Sequence, residues 1–280
     1  MLTDTGEAAC WIRNPIPQKR PVPLVFIPMH YGGLASRDIH ILQKVAKDHD
    51  LLLIEDAAES LGATTNESMV GSIGDAAMFS FCQNKVIATG EGGAIVTDSQ
   101  EIYEKLKLIR SHGRVEDNED YFSTSKEFDY VDVGYNFRMP SMVAALGVSQ
   151  IDRIEQIIAL RRQKAQRYHD ELKDLDEVIL PTDPSDARHV YQLFTLRLKN
   201  KGTRDRFQQH LMNHGIMSKV YFHPIHLKSF YKKRFGYKQG DLPMTEELAA
   251  TVLTIPLYPT MTEADQGYII KQIIDFFHAE

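Results

Sequence analysis

Four short stretches carry side chains able to do chemistry. IEDAAES (54–60) ends an apolar run on Glu55 and Asp56, and two alanines follow. In open parallel sheets, ligands bind at the carboxyl ends of the strands. An acid there, beside small side chains, leaves room for a flat ligand. The plainer reading is that Asp56 caps the next helix. FSFCQNK (79–85) places Lys85 just past a second apolar run. Lysine is the side chain that forms Schiff bases with carbonyls, and partial burial tunes its amine for that task. Ser80 in the same stretch offers a hydroxyl to a phosphate. Read alone, Lys85 is also an ordinary solvated loop lysine. TGEGGAIV (89–96) is a glycine-rich turn entering a strand. It lacks the glycine order of a P-loop or a dinucleotide fingerprint, so it also reads as a tight turn beneath the lysine. GYNFRMP (134–140) sets Asn136 and Arg138 into an aromatic loop ahead of a helix.

Two other features invite a chemical reading. His223 and His226 stand in an H-P-I-H spacing that suits metal ligands. No third ligand cluster lies nearby and the proline argues against a regular helix, so no metal site is expected. Cys82 has no histidine close in sequence to activate it and is assigned to packing.

The elements that must hold these residues alternate in type. LVFIP (24–28), LLLIED (51–56), AAMFSF (76–81) and GAIVTD (93–98) read as strands, and LLLIED is apolar enough to be buried on both faces. SRDIHILQKVAKDH (36–49) reads as a helix capped by Ser36, and EIYEKLKLIRSH (101–112) as another. This β-α-β order predicts an α/β layer with a largely parallel sheet. After Pro140 the tract 141–175 is helical throughout and predicts a bent pair of helices. A strand over 190–198, a helix from Asp205 to His214, a candidate strand at SKVYF (218–222) and a last helix over 262–277 complete a smaller α+β unit. The expected division is 1–152 and 153–280.

Composition narrows the function classes. The chain has 280 residues, 43% hydrophobic and 25% charged, with a formal charge of −6. An acidic balance disfavours nucleic acid as the main partner. No apolar run approaches a membrane span, and the leader MLTDTGEAAC has no signal-peptide core. Reduced thiols at Cys10 and Cys82, and a cytoplasmic location, are therefore expected.

From about Phe26 to Phe276 the chain resembles the DegT-type sugar aminotransferases, pyridoxal-phosphate enzymes of the aspartate aminotransferase-like fold type I. PMHYGG (28–33), LIEDAAESLGA (53–63) and GSIGDAAMFSF (71–81) with Lys85 carry the resemblance. GEGGAIVTD (90–98), RSHGR (110–114), GYNFRMPSMVAALGVSQ (134–150) and VYFHPIHL (220–227) complete it. It implies a pyridoxal-phosphate large domain with a mostly parallel sheet, and a smaller C-terminal domain. Lys85 would hold the cofactor as an internal aldimine and later serve as general base and acid. Asp56 would pair with the pyridinium nitrogen, which makes the ring an electron sink. Glu59 would lie close to the cofactor ring, and Ser80 would bind its phosphate. Asn136 would reach the cofactor phosphate of a neighbouring subunit, implying a homodimer. Arg138 and His226 would lie on the substrate side.

The implied reaction is amino transfer, with glutamate as donor, to a nucleotide-linked keto-sugar in amino-sugar or surface polysaccharide biosynthesis. Family members carry a long region ahead of the PMHYGG strand, including a Gly-Thr/Ser loop that donates backbone N–H groups to the phosphate. Here PMHYGG begins at residue 28, and the leader has no such pattern. The expectation is an N-terminally truncated homologue, with an incomplete large domain and weakened cofactor binding. The alternative is a non-catalytic relative acting as a regulatory or assembly subunit.

Overall fold

The computed structural model describes residues 25–115, 125 and 127–279. The leader through Leu24, with Cys10, lies outside the described residues. The chain divides into two compact units, Met1–Ile154 with Asp186–Arg188, and Glu155–Ser185 with His189–Glu280.

In the first unit, strands β1 (Val25–Phe26), β2 (Leu52–Asp56), β3 (Ala76–Ser80) and β4 (Gly93–Val96) form one sheet in that order. β1 runs parallel to β2, and β2 parallel to β3, with Asp56 opposite Met78. Helix α1 (Ile39–Asp48) makes the first of these crossovers. β4 departs from the expected parallel order and pairs antiparallel with β3, Ser80 opposite Gly93. The loop 81–92 folds back on itself, the Phe81 N–H donating to Gly92 O at 2.9 Å, so the strand that follows returns antiparallel beside β3.

Ile39 and Ala46 of α1 pack with Leu53 and Ile73 in the core of this unit. β2 is not buried on both faces: Leu53 and Glu55 are buried, while Leu52, Ile54 and Asp56 are half-buried. The face turned to α1 is sealed, and the other face bears Asp56. Ser36 does not cap α1. The helix starts at Ile39 after Asp38, and Ser36 forms the turn ahead of it, its carbonyl accepting from the Ile39 N–H at 3.1 Å and its own N–H donating to His30 Nδ1 at 2.9 Å. Helix α2 (Gln100–Arg110) starts where Ser99 accepts from the Ile102 N–H. Helix α3 (Ser141–Ile151) follows Pro140. A turn at Asp152 and Arg153 separates it from α4 (Ile154–Leu172), so the long helical tract is indeed a pair.

The second unit is built on an antiparallel sheet of β5 (Val178–Ile179), β6 (Phe194–Leu198) and β7 (Val252–Ile255), with β6 central. Its core joins Tyr168 and Leu172 of α4 to Phe194, Leu196 and Leu253 of the sheet. Phe207 and Leu211 of α5 (Lys201–Asn213) and Ile273 of the last helix close it. The strand expected over 190–198 begins only at Phe194. Tyr191 has a positive φ of 48° and its ring stacks on His189 at 4.0 Å, which takes the chain out of extended geometry. α5 begins at Lys201, earlier than expected, because Asn200 Oδ1 accepts from the Thr203 N–H at 2.9 Å. SKVYF makes only the single bridge Lys219–Thr254. Two short helices, α6 (Ser229–Phe235) and α7 (Pro243–Thr251), precede β7, and α8 (Glu263–His278) starts at its Thr262 cap.

Candidate active site

Asp56 and Ser80 end two neighbouring strands, β2 and β3, at the carboxyl end of the parallel pair. No helix follows Asp56. The chain makes successive turns over 57–63, and Asp56 Oδ1 accepts from the Ala58 N–H at 3.2 Å. Among the described residues its second carboxylate oxygen takes no hydrogen bond, so an acceptor is left for an N–H donor. Ser80 Oγ accepts from the Cys82 N–H at 3.3 Å. That leaves the hydroxyl proton to be donated, as an anion would require.

The turns after Asp56 bring Glu59 back over the strand ends. Its side chain is 3% exposed, and Oε1 accepts from Lys85 Nζ at 3.1 Å. Oε2 accepts from the Gly32 N–H at 3.0 Å. Lys85 is itself 14% exposed, so this is a shielded ion pair rather than a surface one. The solvated-loop reading of Lys85 does not hold. Lys85 is reached by a turn closed by its own N–H on Cys82 O at 3.0 Å. The next residues, Val86 and Ile87, are buried. Ala88 then pairs with the Gln150 side chain in both directions, at 3.0 and 2.7 Å. The lysine therefore stands on a loop fixed at both ends.

Glu55, next to Asp56, is fully buried and takes four hydrogen bonds. Oε1 accepts from the Ile73 and Gly74 N–H groups, both at 2.7 Å. Oε2 accepts from the Gly71 N–H and from His30 Nε2, both at 2.9 Å. Burial works to raise its pKa, but the His30 bond and the three N–H groups outweigh it and hold the carboxyl below its ordinary range. His30 Nδ1 is occupied by the Ser36 N–H, which leaves the ring proton on Nε2. Gly74 is demanded by this arrangement, since a Cβ there would lie 2.5 Å from Leu53 O. His30 carries no role in the sequence reading, although PMHYGG and IED are both prominent in it.

Asn136 and Arg138 stand together: Arg138 Nε donates to Asn136 Oδ1 at 3.0 Å, and both are exposed. A bridge between Asn136 and Ser111 fixes their loop to the end of α2. Neither is joined by a hydrogen bond to the Lys85–Glu59 pair. His226 belongs to the second unit. It is buried, its Nε2 lies 2.9 Å from Glu246 Oε1, and Glu246 also accepts from the Gly240 N–H. His223 carries a lowered pKa, from burial and then from the charges of Lys228 and Arg204. Among the described residues no group of three or more His, Cys, Asp or Glu could hold a metal ion. No helix among them is long and apolar enough to cross a membrane.

A primary amine, a carboxylate with a spare oxygen and a hydroxyl with a spare proton thus share one end of the sheet. That donor set fits a planar, phosphorylated aldehyde bearing a ring nitrogen.

Comparison with known proteins agrees. The spore coat polysaccharide biosynthesis protein SpsC of Bacillus subtilis is 34% identical over 89% of this chain and 65% of its own length. A GDP-perosamine synthase of Caulobacter vibrioides is 35% identical over 90% of this chain and 66% of its own. A crystal structure of a DegT DnrJ EryC1 StrS aminotransferase from Brucella abortus superposes with a TM-score of 0.80 at 30% identity, covering 96% of this chain and 67% of that one. The chain spans just under two thirds of the curated relatives it matches, between 62% and 66%. Residues 14–274 match the DegT/DnrJ/EryC1/StrS aminotransferase family, and the chain belongs to that family.

Proposed function

We propose that this chain is a pyridoxal-phosphate-dependent sugar aminotransferase, working in the cytoplasm on a nucleotide-linked keto-sugar. The observation that carries the reading is the convergence of two strand ends: Glu59, from the turn after Asp56, holds Lys85, from the turn after Ser80. The cofactor, when bound, supplies an electron sink for the carbanion left by proton removal beside the nitrogen. Lys85 Nζ would hold the cofactor through its aldehyde carbon, and as a free amine would carry the proton to and from the substrate carbon. Asp56 would hold a proton on the cofactor's ring nitrogen through its unpaired oxygen. Ser80 donates its hydroxyl to the phosphate. Glu59 orients Lys85 and would stand close to the cofactor. Asn136, with Arg138 locked to it, reaches the site of a second copy in a homodimer. His226, with Glu246 behind it, is assigned to the sugar side.

The Caulobacter relative's name, GDP-perosamine synthase, favours a nucleotide-linked sugar, and the Bacillus relative's name favours polysaccharide synthesis. Glutamate is the proposed donor. The test is amino transfer itself. The protein is incubated with pyridoxal phosphate, glutamate and a panel of nucleotide-linked keto-sugars. Mass spectrometry then follows conversion of the sugar C=O to CH–NH2 with matching release of 2-oxoglutarate. Product with glutamate and one keto-sugar supports the reading. Absence of product and of any lysine–cofactor adduct supports the non-catalytic alternative instead.

A further inference from the structure

The reaction as proposed uses Lys85, Asp56, Glu59 and Ser80. It gives no task to the other acid of the strand end, Glu55, or to His30. Both are fully buried, and burial of an acid and an imidazole is costly unless every polar atom is matched. Here the matching is complete: four donors reach the Glu55 carboxylate and both ring nitrogens of His30 are used. What the pair connects gives it a purpose. Through Gly71, Ile73 and Gly74, Glu55 grips the loop that leads into β3. Through His30 it grips the 28–33 segment.

That segment is tied to the site four more times. The His30 N–H donates to Asp56 O at 2.9 Å, and the Asp56 N–H donates to Pro28 O at 2.9 Å. Ser60 Oγ donates to His30 O at 2.9 Å. Two residues past His30, the Gly32 N–H donates to Glu59 Oε2, and Glu59 Oε1 holds Lys85. Gly32 presents that N–H from a left-handed backbone with φ of 65°, so its direction depends on how the segment is anchored. Glu55, His30, the 30–32 backbone, Glu59 and Lys85 thus form one continuous series of contacts.

We propose that Glu55 and His30 are positioning residues for the Lys85–Glu59 pair. They fix the 28–33 segment so that Gly32 orients the Glu59 carboxylate, and Glu59 in turn holds the Lys85 amine. The functional meaning of this rests on the aminotransferase reading. The physical coupling does not, and it is open to test without cofactor.

The measurement is the rate at which acetyl N-hydroxysuccinimide acetylates Lys85 in the cofactor-free chain. Mass spectrometry reads it, with exposed Lys44 as internal reference. An amine held by a buried carboxylate reacts slowly, because its nitrogen is engaged and shielded. Glu55→Gln turns one carboxylate oxygen into an N–H donor facing the Gly71 N–H and His30. His30→Asn keeps an acceptor for Ser36 but loses the donor to Glu55. His30→Gln keeps an amide N–H able to reach Glu55.

Glu55→Gln and His30→Asn are expected to speed Lys85 acetylation relative to Lys44 by about fivefold, the scale of one modest ion pair. His30→Gln should stay close to native. Glu59→Gln alone should give the same gain, and adding either clamp substitution to it should give no more, since coupled residues are not additive. Should Glu55→Gln fail to fold, the two His30 variants and their combinations with Glu59→Gln carry the same test. Native Lys85 rates in His30→Asn would overturn the proposal. So would a gain that persists undiminished in the Glu59→Gln background, or a His30→Gln variant as fast as His30→Asn. Failure to bind pyridoxal phosphate would count against the aminotransferase reading while leaving these rates to decide the clamp.

Discussion

The Gln150 side chain lies along the Ala88 backbone like one more residue of a strand. It accepts the Ala88 N–H at 3.0 Å and donates to the Ala88 carbonyl at 2.7 Å. Its amide also donates to Leu146 O within its own helix, which fixes the rotamer. The loop carrying Lys85 has no regular structure of its own, so this amide does for it what a neighbouring strand would do.

Gln150→Ala removes both partners from Ala88 at once. The two backbone groups are half-buried, and leaving them unmatched should cost about 1–3 kcal/mol. The effect should be local as well as global. Hydrogen exchange at Val86, Ile87 and Ala88 is expected to quicken more than exchange in β2, and equal acceleration in both places would remove the special role given to Gln150.

Asp56→Asn preserves shape and removes charge. If its spare oxygen holds a proton on the cofactor nitrogen, turnover should fall on the order of 10²–10³-fold, while the affinity for pyridoxal phosphate changes little. The kcat and the cofactor Kd are measured side by side. Near-native kcat would reduce Asp56 to the turn-forming residue that its bond to Ala58 already makes it.

Glu55 should make the protein acid-sensitive. Its folded pKa lies below the ordinary value of 4.5, because the His30 and backbone hydrogen bonds outweigh burial. The unfolded chain then binds the proton more readily than the folded one. The stabilisation is fully present above about pH 4.5 and is lost as pH falls through the lower folded value. In urea titrations at neutral pH, Glu55→Gln should be less stable by about 2–3 kcal/mol, the scale of a charge-assisted hydrogen bond with its partner left behind. The gap to native should narrow below pH 4.5. A gap that stays constant into acid would mean that the charge of Glu55 contributes nothing.

Much of this could be read from residue order, and the parts that could not have physical causes. The α/β layering, the paired helices after Pro140 and the family resemblance all rest on periodicity and local motifs, which a sequence displays directly. The direction of β4 was hidden because GAIVTD has the same pattern whichever way it pairs; only the folding of the loop 81–92 back on itself, Phe81 against Gly92, decides it. The Ser36 cap failed because Ser36 lies in a turn ahead of the helix, its carbonyl accepting from the Ile39 N–H, and the helix begins only after Asp38. The division of labour between Glu55 and Asp56 was equally hidden. Adjacent residues on a strand point to opposite faces, and which face is sealed by α1 is a property of the fold. Asn200 was legible, being an N-cap residue immediately before a helical run, and it shows that α5 begins before Asp205.

Lys85 is proposed as the amine that captures the cofactor. The direct measurement is titration of the purified chain with pyridoxal phosphate, borohydride reduction, and peptide mapping of the pyridoxyl label, with Lys85→Ala in parallel. Near-visible absorbance that disappears on reduction is expected, with a label confined to Lys85 and no stable label in Lys85→Ala. A label on another lysine, or one that survives in Lys85→Ala, would contradict it.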